Sequence, residues 1–126
     1  MLPYHEVHRL HDAYTELLDG GDYDRWLELF TADGTLTIGE TVHCGHDGLR
    51  RFLQARRPHP GRHLTGPAIF VESAPGCCVV EANFIAVKPA TSGLDVVATG
   101  RYRDELRDEG GTWRIAARRI QIGGRQ

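Results

Sequence analysis

Cysteine is scarce in this chain, methionine occurs once, and neither charge dominates. The three cysteines are Cys44, Cys77 and Cys78, an odd count with one adjacent pair. Such a set makes a poor disulfide framework and points to a reducing cytoplasm. No apolar run approaches the roughly 20 residues that a helix needs to cross a bilayer. The amino terminus shows no basic stretch followed by an apolar one, so neither membrane insertion nor secretion is expected. Lys and Arg together number 15 against 17 Asp and Glu, a formal charge of −2. That balance lacks the basic footprint of a nucleic-acid binder and favours a neutral or weakly charged small molecule as partner. There is no glycine-rich phosphate loop, no dinucleotide fingerprint and no serine-nucleophile motif, so no cofactor is expected. Metal is not expected either. His43-Cys44-x-His46, with His59 and His63 further on, is compact, but adjacent residues on a strand point to opposite faces and the spacing fits no paired ligand signature.

What is present is the pattern of one α+β domain spanning residues 1–126, with an ordinary 40% of apolar residues. Residues 4–19 place Val7, Leu10, Tyr14, Leu17 and Leu18 on one helical stripe. His5, His8 and His11 read as part of the wet surface of that helix. Gly20-Gly21 suits a left-handed cap. Asp22 reads as the N-cap of a shorter helix that carries Trp26, Leu29 and Phe30 inward. Thr35–Ile38 alternates like a strand, with a short mate around residues 41–43. A third helix is expected from Asp47 to about Arg57, stopped by Pro58 and Pro60.

The second half reads as four long strands, 62–73, 77–88, 94–106 and 113–122. Short turns at Ala74-Pro75-Gly76, Thr91-Ser92-Gly93 and Glu109-Gly110-Gly111 join them into an antiparallel meander. Two or three helices followed by such a meander imply a curved sheet with the helices on its concave face. The strand at 77–88 is apolar on both faces. Its outer face therefore predicts a homo-oligomer, with a dimer favoured.

Gly61-Arg62-His63-Leu64-Thr65-Gly66-Pro67 sets a histidine at the mouth of a buried strand. Two further stretches give the chain a family resemblance. Tyr14-x-x-Leu-Leu-Asp19-Gly-Gly-Asp22-Tyr23-Asp24-x-Trp26-x-x-Leu29-Phe30, then Asp33-Gly34 and Gly48-Leu49-Arg50-x-Phe52-Leu53, resembles the helical half of the SnoaL-like superfamily. Gly100-Arg101-Tyr102-x-Asp104-x-Leu106 and Gly111-x-Trp113-Arg114-Ile115 resemble its closing strands. The resemblance implies the cone-shaped fold of nuclear transport factor two, with a pocket between sheet and helices. That fold hosts enzymes, binders and association domains.

Within the superfamily the chain carries a functional echo of scytalone dehydratase, which its motifs resemble at two positions. The helix-end aspartate of that enzyme matches Asp19, and its first catalytic histidine matches His63. Its second histidine matches Asn83, its two carbonyl-polarising tyrosines match Leu18 and Gly39, and its substrate-side serine and asparagine match Gly100 and Tyr102. The resemblance thus implies a catalytic pair of Asp19 and His63 without that oxygen-polarising set. A carboxylate on one ring nitrogen fixes the tautomer, and a histidine near its unperturbed pKa of about 6.5 exchanges protons at neutral pH. Acid–base catalysis supplies only about 10² to 10⁴-fold, so donors for developing oxyanion charge are also needed. Asn83, Tyr14 and Tyr102 are the candidate donors, while Trp26 and Phe30 are expected to line the pocket. The implied activity is a lyase or isomerase acting on a small, apolar, oxygenated metabolite, with dehydration preferred. Cyclisation, double-bond isomerisation, epoxide opening and non-catalytic ligand binding or association are the alternatives.

Overall fold

The computed structural model describes residues 2–56 and 60–123. Helix α1 (Tyr4–Gly20) buries Val7, Leu10, Tyr14 and Leu18, the stripe that the sequence spacing predicts. Gly21 closes it at φ 77°, its N–H donating to the Leu17 and Leu18 carbonyls. The short α2 (Tyr23–Leu27) buries Trp26 and Leu27. After β1 (Phe30–Ile38) and β2 (Thr41–Cys44), α3 (Gly45–Ala55) puts Leu49 and Leu53 into the core. The rest of the described chain is strand: β3 (Arg62–Thr65), β4 (Ile69–Ala74), β5 (Cys77–Ala90), β6 (Gly93–Glu109) and β7 (Thr112–Ile122).

All seven strands form one sheet in the order β2-β1-β7-β6-β5-β3, with β4 also paired to β5. The meander β5–β6–β7 is antiparallel throughout. The sheet as a whole is not, because β1 runs parallel to β7. Helix α3 and strands β2 to β4 lie between β1 and the meander, and that long connection lets β7 lie alongside β1 in the same direction.

Two boundaries differ from those expected. The stretch 62–73 is two strands rather than one. Pro67 has no N–H to give a ladder, so the chain breaks at Gly66-Pro67. β3 then pairs with residues 84–87 of β5 and β4 with residues 77–81. Phe30 opens β1 instead of ending a helix, and Asp33-Gly34 is a bulge inside that strand. A Cβ on Gly34 would lie 3.0 Å from Phe30 Cβ and 3.0 Å from the Thr31 carbonyl oxygen, so the bulge needs a residue without one.

The concave face carries Val80, Ala82, Phe84 and Ala86 of β5, facing Tyr102, Asp104 and Leu106 of β6. A bulge in β7 between Ile115 and Ala117 changes the alternation, so Ile115 and Arg118 both point inward. The outer face carries half-buried Val79, Ile85 and Val87. Beside them Leu64, Leu94 and Val96 are 56%, 68% and 60% exposed. That is the apolar outer surface the two-sided sequence pattern predicts.

Candidate functional site

Asp19 lies in the last turn of α1, and His63 is the second residue of β3, opposite Ala86 of the concave face. The Asp19 carboxylate takes His63 from two sides. Its Oδ2 accepts the His63 backbone N–H at 2.8 Å, and its Oδ1 lies 2.7 Å from the ring Nδ1. The backbone bond fixes where the strand starts, and the ring bond fixes which way the imidazole faces. A carboxylate acceptor at Nδ1 keeps the proton on that nitrogen, so Nε2 is the basic one. Side-chain exposures of 15% for His63 and 12% for Asp19 leave the pair sheltered but not sealed.

No basic residue stands in the last turn of α1, where the unpaired carbonyls carry partial negative charge. Asp19 also borders an open recess of about 630 Å³, walled by Leu64, Val87, Pro89 and Leu94 with Glu16 and Lys88 at its rim.

A second histidine–carboxylate pair lies deeper. His11 Nε2 is 2.9 Å from Asp104 Oδ2, and Arg118 donates to both Asp104 oxygens at 2.7 Å. The Arg118 guanidinium sits between two rings, 4.1 Å from the Tyr14 centroid and 4.0 Å from that of Tyr102. Phe84 stacks on the far side of Tyr102 at 4.5 Å. Burial pushes the Asp104 carboxyl up, but the Arg118 charge and the bonds from His11 and Arg118 outweigh it, and the group ends below its ordinary value. Burial likewise pulls Arg118 down, and Asp104 more than reverses this. The phenols of Tyr14 and Tyr102 are raised chiefly by burial, against the pull of Arg118.

Tyr14 and Tyr102 are therefore neighbours, 6.1 Å apart between centroids, on the inner side of the sheet. Trp26 and Phe30 join them, with Trp26 5.3 Å from Tyr14 and 4.8 Å from Phe30. Asn83 does not. It is exposed on the outer face, where its Oδ1 accepts from Arg101 at 3.0 Å. It does share a face with Val79 and Ile85, but that face is turned away from the helices, and the amide is satisfied there by an ion cluster of Glu81, Arg101 and Arg103. His11 also departs from its expected place on a wet surface, being only 4% exposed. Its position beside Leu10 and Tyr14 on the helix stripe was the available signal, and a cross-strand Asp–Arg pair supplies the partners. His43 and His46 do not converge. His43 packs on Phe52 and His46 bonds the Phe30 carbonyl, and among the described residues no three metal-ligating side chains come together.

Four likenesses place the chain among known proteins. A family model of the SnoaL-like domain matches residues 1–119. The small subunit of anthranilate 1,2-dioxygenase from Burkholderia cepacia is 27% identical over 125 residues, covering 84% of this chain and 78% of that protein. An NTF2-like protein with a cystatin-like fold from Novosphingobium aromaticivorans has a TM-score of 0.82 at 18% identity, covering 92% of this chain and 79% of its own. ActVI-ORFA from Streptomyces coelicolor has a TM-score of 0.81 at 16% identity, covering 94% and 96%. At such identities the two structures share the fold, a curved seven-stranded sheet with three helices on it.

Proposed function

The chain belongs to the SnoaL-like domain family, and from that premise we propose that it is a cofactor-independent lyase or isomerase of a small oxygenated metabolite. The observation that carries this reading is the double grip of Asp19 on His63, ring and backbone, at 2.7 and 2.8 Å. A helix-end carboxylate used only as a turn residue has no need of a ring bond from another element.

Dehydration beside a carbonyl is the preferred reaction. His63 Nε2 takes the acidic C–H proton, the carbon–carbon double bond forms, and the same proton is returned to the departing hydroxyl, so that water leaves. Asp19 stays ionised, holding the tautomer and offsetting the imidazolium charge. The phenols of Tyr14 and Tyr102 are the donors toward the carbonyl oxygen, and the apolar surroundings strengthen such bonds. Trp26 and Phe30 shape the apolar wall. Cyclisation or double-bond isomerisation would use the same proton transfers without loss of water.

The test is mass spectrometry of a metabolite extract incubated with the protein. Conversion of one component to a product lighter by one water, absent with His63→Ala and Asp19→Asn while both variants melt cooperatively, supports the proposal. Equal conversion by either variant rejects it.

A second reading, an association or ligand-binding subunit, is favoured by the likeness to a dioxygenase small subunit and by the apolar outer face of the sheet. On either reading we propose a homodimer through that outer face. Light scattering at the monomer mass would exclude it.

A further inference from the structure

Helix α3 and its cap carry Arg50, Arg51 and Arg56. Arg50 donates to Asp24 at 3.0 Å. Among the described residues no carboxylate pairs with Arg51 or Arg56. Both line an open recess of about 430 Å³ whose other walls are His43, Phe52 and Ala55. The rings of His43 and Phe52 meet there, 5.0 Å apart between centroids and tilted by 51°. An aromatic pair thus lies beside two cations. Arg56 is half-buried, and its charge reaches inward, helping Arg118 to oppose the rise that burial imposes on the Tyr14 phenol. The chain as a whole has a formal charge of −2, so the recess is not one sector of a generally basic surface. The carbonyl end of α3 favours a cation. Its partial charges do not balance two guanidinium groups, which repel each other until an anion joins them.

We propose that this recess binds a flat aromatic carboxylate, with the carboxylate between Arg51 and Arg56 and the ring against Phe52 and His43. Each part selects that chemistry. A guanidinium presents its N–H groups as a planar fork, which matches the two coplanar oxygens of a carboxylate. Rings prefer offset or edge contacts with other rings, and the tilted pair offers both. Ala55, one turn beyond Arg51, is the small side chain that leaves room for the ligand. Because the recess is open, the carboxylate keeps part of its hydration and escapes the cost of full burial. The site lies outside the interior between sheet and helices and requires no turnover at His63.

Benzoate is the probe. Benzamide lacks its charge, cyclohexanecarboxylate its aromaticity, and inorganic phosphate any ring. Each is titrated at low ionic strength while NMR spectra follow the arginine Nε–H signals and the rings of Phe52 and His43. Benzoate is expected to shift Arg51, Arg56, Phe52 and His43 together and saturably. It should bind about tenfold more tightly than benzamide, as a charge-assisted hydrogen bond allows. Its advantage over cyclohexanecarboxylate should be about threefold to tenfold, as ring contact allows. Arg51→Gln combined with Arg56→Gln should remove the preference for benzoate over benzamide. Phe52→Leu, checked for a cooperative melt, should remove the preference over cyclohexanecarboxylate and keep that over benzamide. His63→Ala should bind benzoate as the native sequence does, so loss of the proton-transfer reading would not touch this one. Benzoate and benzamide binding alike, benzoate shifts that persist in the double arginine variant, or phosphate binding as tightly as benzoate would overturn it.

Discussion

Two histidine–carboxylate pairs bind α1 to the sheet, and their surroundings give them opposite characters. Asp19–His63 is 12% and 15% exposed, and its carboxylate borders an open recess. His11–Asp104 is 5% and 0% exposed and carries a bidentate arginine held between two tyrosines. In the deep pair every oxygen of the carboxylate is already committed, so a substrate has nothing to engage there. In the shallow pair the carboxylate holds Nδ1, and the proposed proton transfer would fall to Nε2. On the proposed reading the same two kinds of side chain serve cohesion in one place and proton transfer in the other, and burial with a third charge makes the difference.

Removing the third charge is the most severe way to break that contrast. Arg118→Met strands the Asp104 carboxylate inside the protein and should cost about 3–5 kcal/mol in denaturant unfolding. Adding Asp104→Leu should recover most of the loss, because an apolar pair of similar volume replaces the ions, with His11 left short of one acceptor. Failure of the second substitution to recover stability would show that the ions do more than neutralise each other.

Next in size is Gly100→Ala. A Cβ there would lie 2.1 Å from the Gln121 carbonyl oxygen and 2.7 Å from the Phe84 ring that stacks on Tyr102. The backbone of a neighbouring strand cannot yield as a flexible side chain does, so a loss of about 3 kcal/mol is expected. A thermal midpoint unchanged by this substitution would contradict the close packing described over Tyr102.

Acid sharpens the comparison without mutation. The Asp104 carboxyl is held below its ordinary value in the folded chain. Its stabilising contribution is therefore complete above the unfolded value of about 3.9 and is lost as pH falls through the lower folded value. Stability measured by denaturant should decline with pH below about 4 in the native sequence, and less steeply in the Arg118→Met, Asp104→Leu double variant. The smallest effect on folding belongs to the shallow pair. His63→Ala should cost about 1 kcal/mol, the net worth of an ordinary hydrogen bond, while abolishing turnover. A cost as large as that of Arg118→Met would mark His63 as structural.

Much of the fold was legible because periodicity and turn residues act locally. The α1 stripe, the glycine cap and the three hairpin turns of the meander follow from neighbours in sequence. What escaped depended on register. The β7 bulge that turns Arg118 inward, and with it the partner of His11, leaves no mark in the alternation of Ile115-Ala116-Ala117-Arg118. Asn83 misled for a related reason: parity assigns residues to two faces but does not say which face the helices cover. The parallel pairing of β1 with β7 is likewise a long-range choice that no local signal encodes. The Asp19–His63 contact spans 44 residues, and it was reached through family resemblance in the sequence rather than through spacing.

The central claim is that Asp19 leaves His63 with a basic Nε2, and nitrogen NMR of the two ring atoms reads this directly. The account predicts a proton-bearing Nδ1 and a bare, basic Nε2 on neutral His63, with that preference weakened in Asp19→Asn. A neutral His63 carrying its proton on Nε2 would contradict it, since the unprotonated nitrogen would then be Nδ1, which faces Asp19 rather than a substrate.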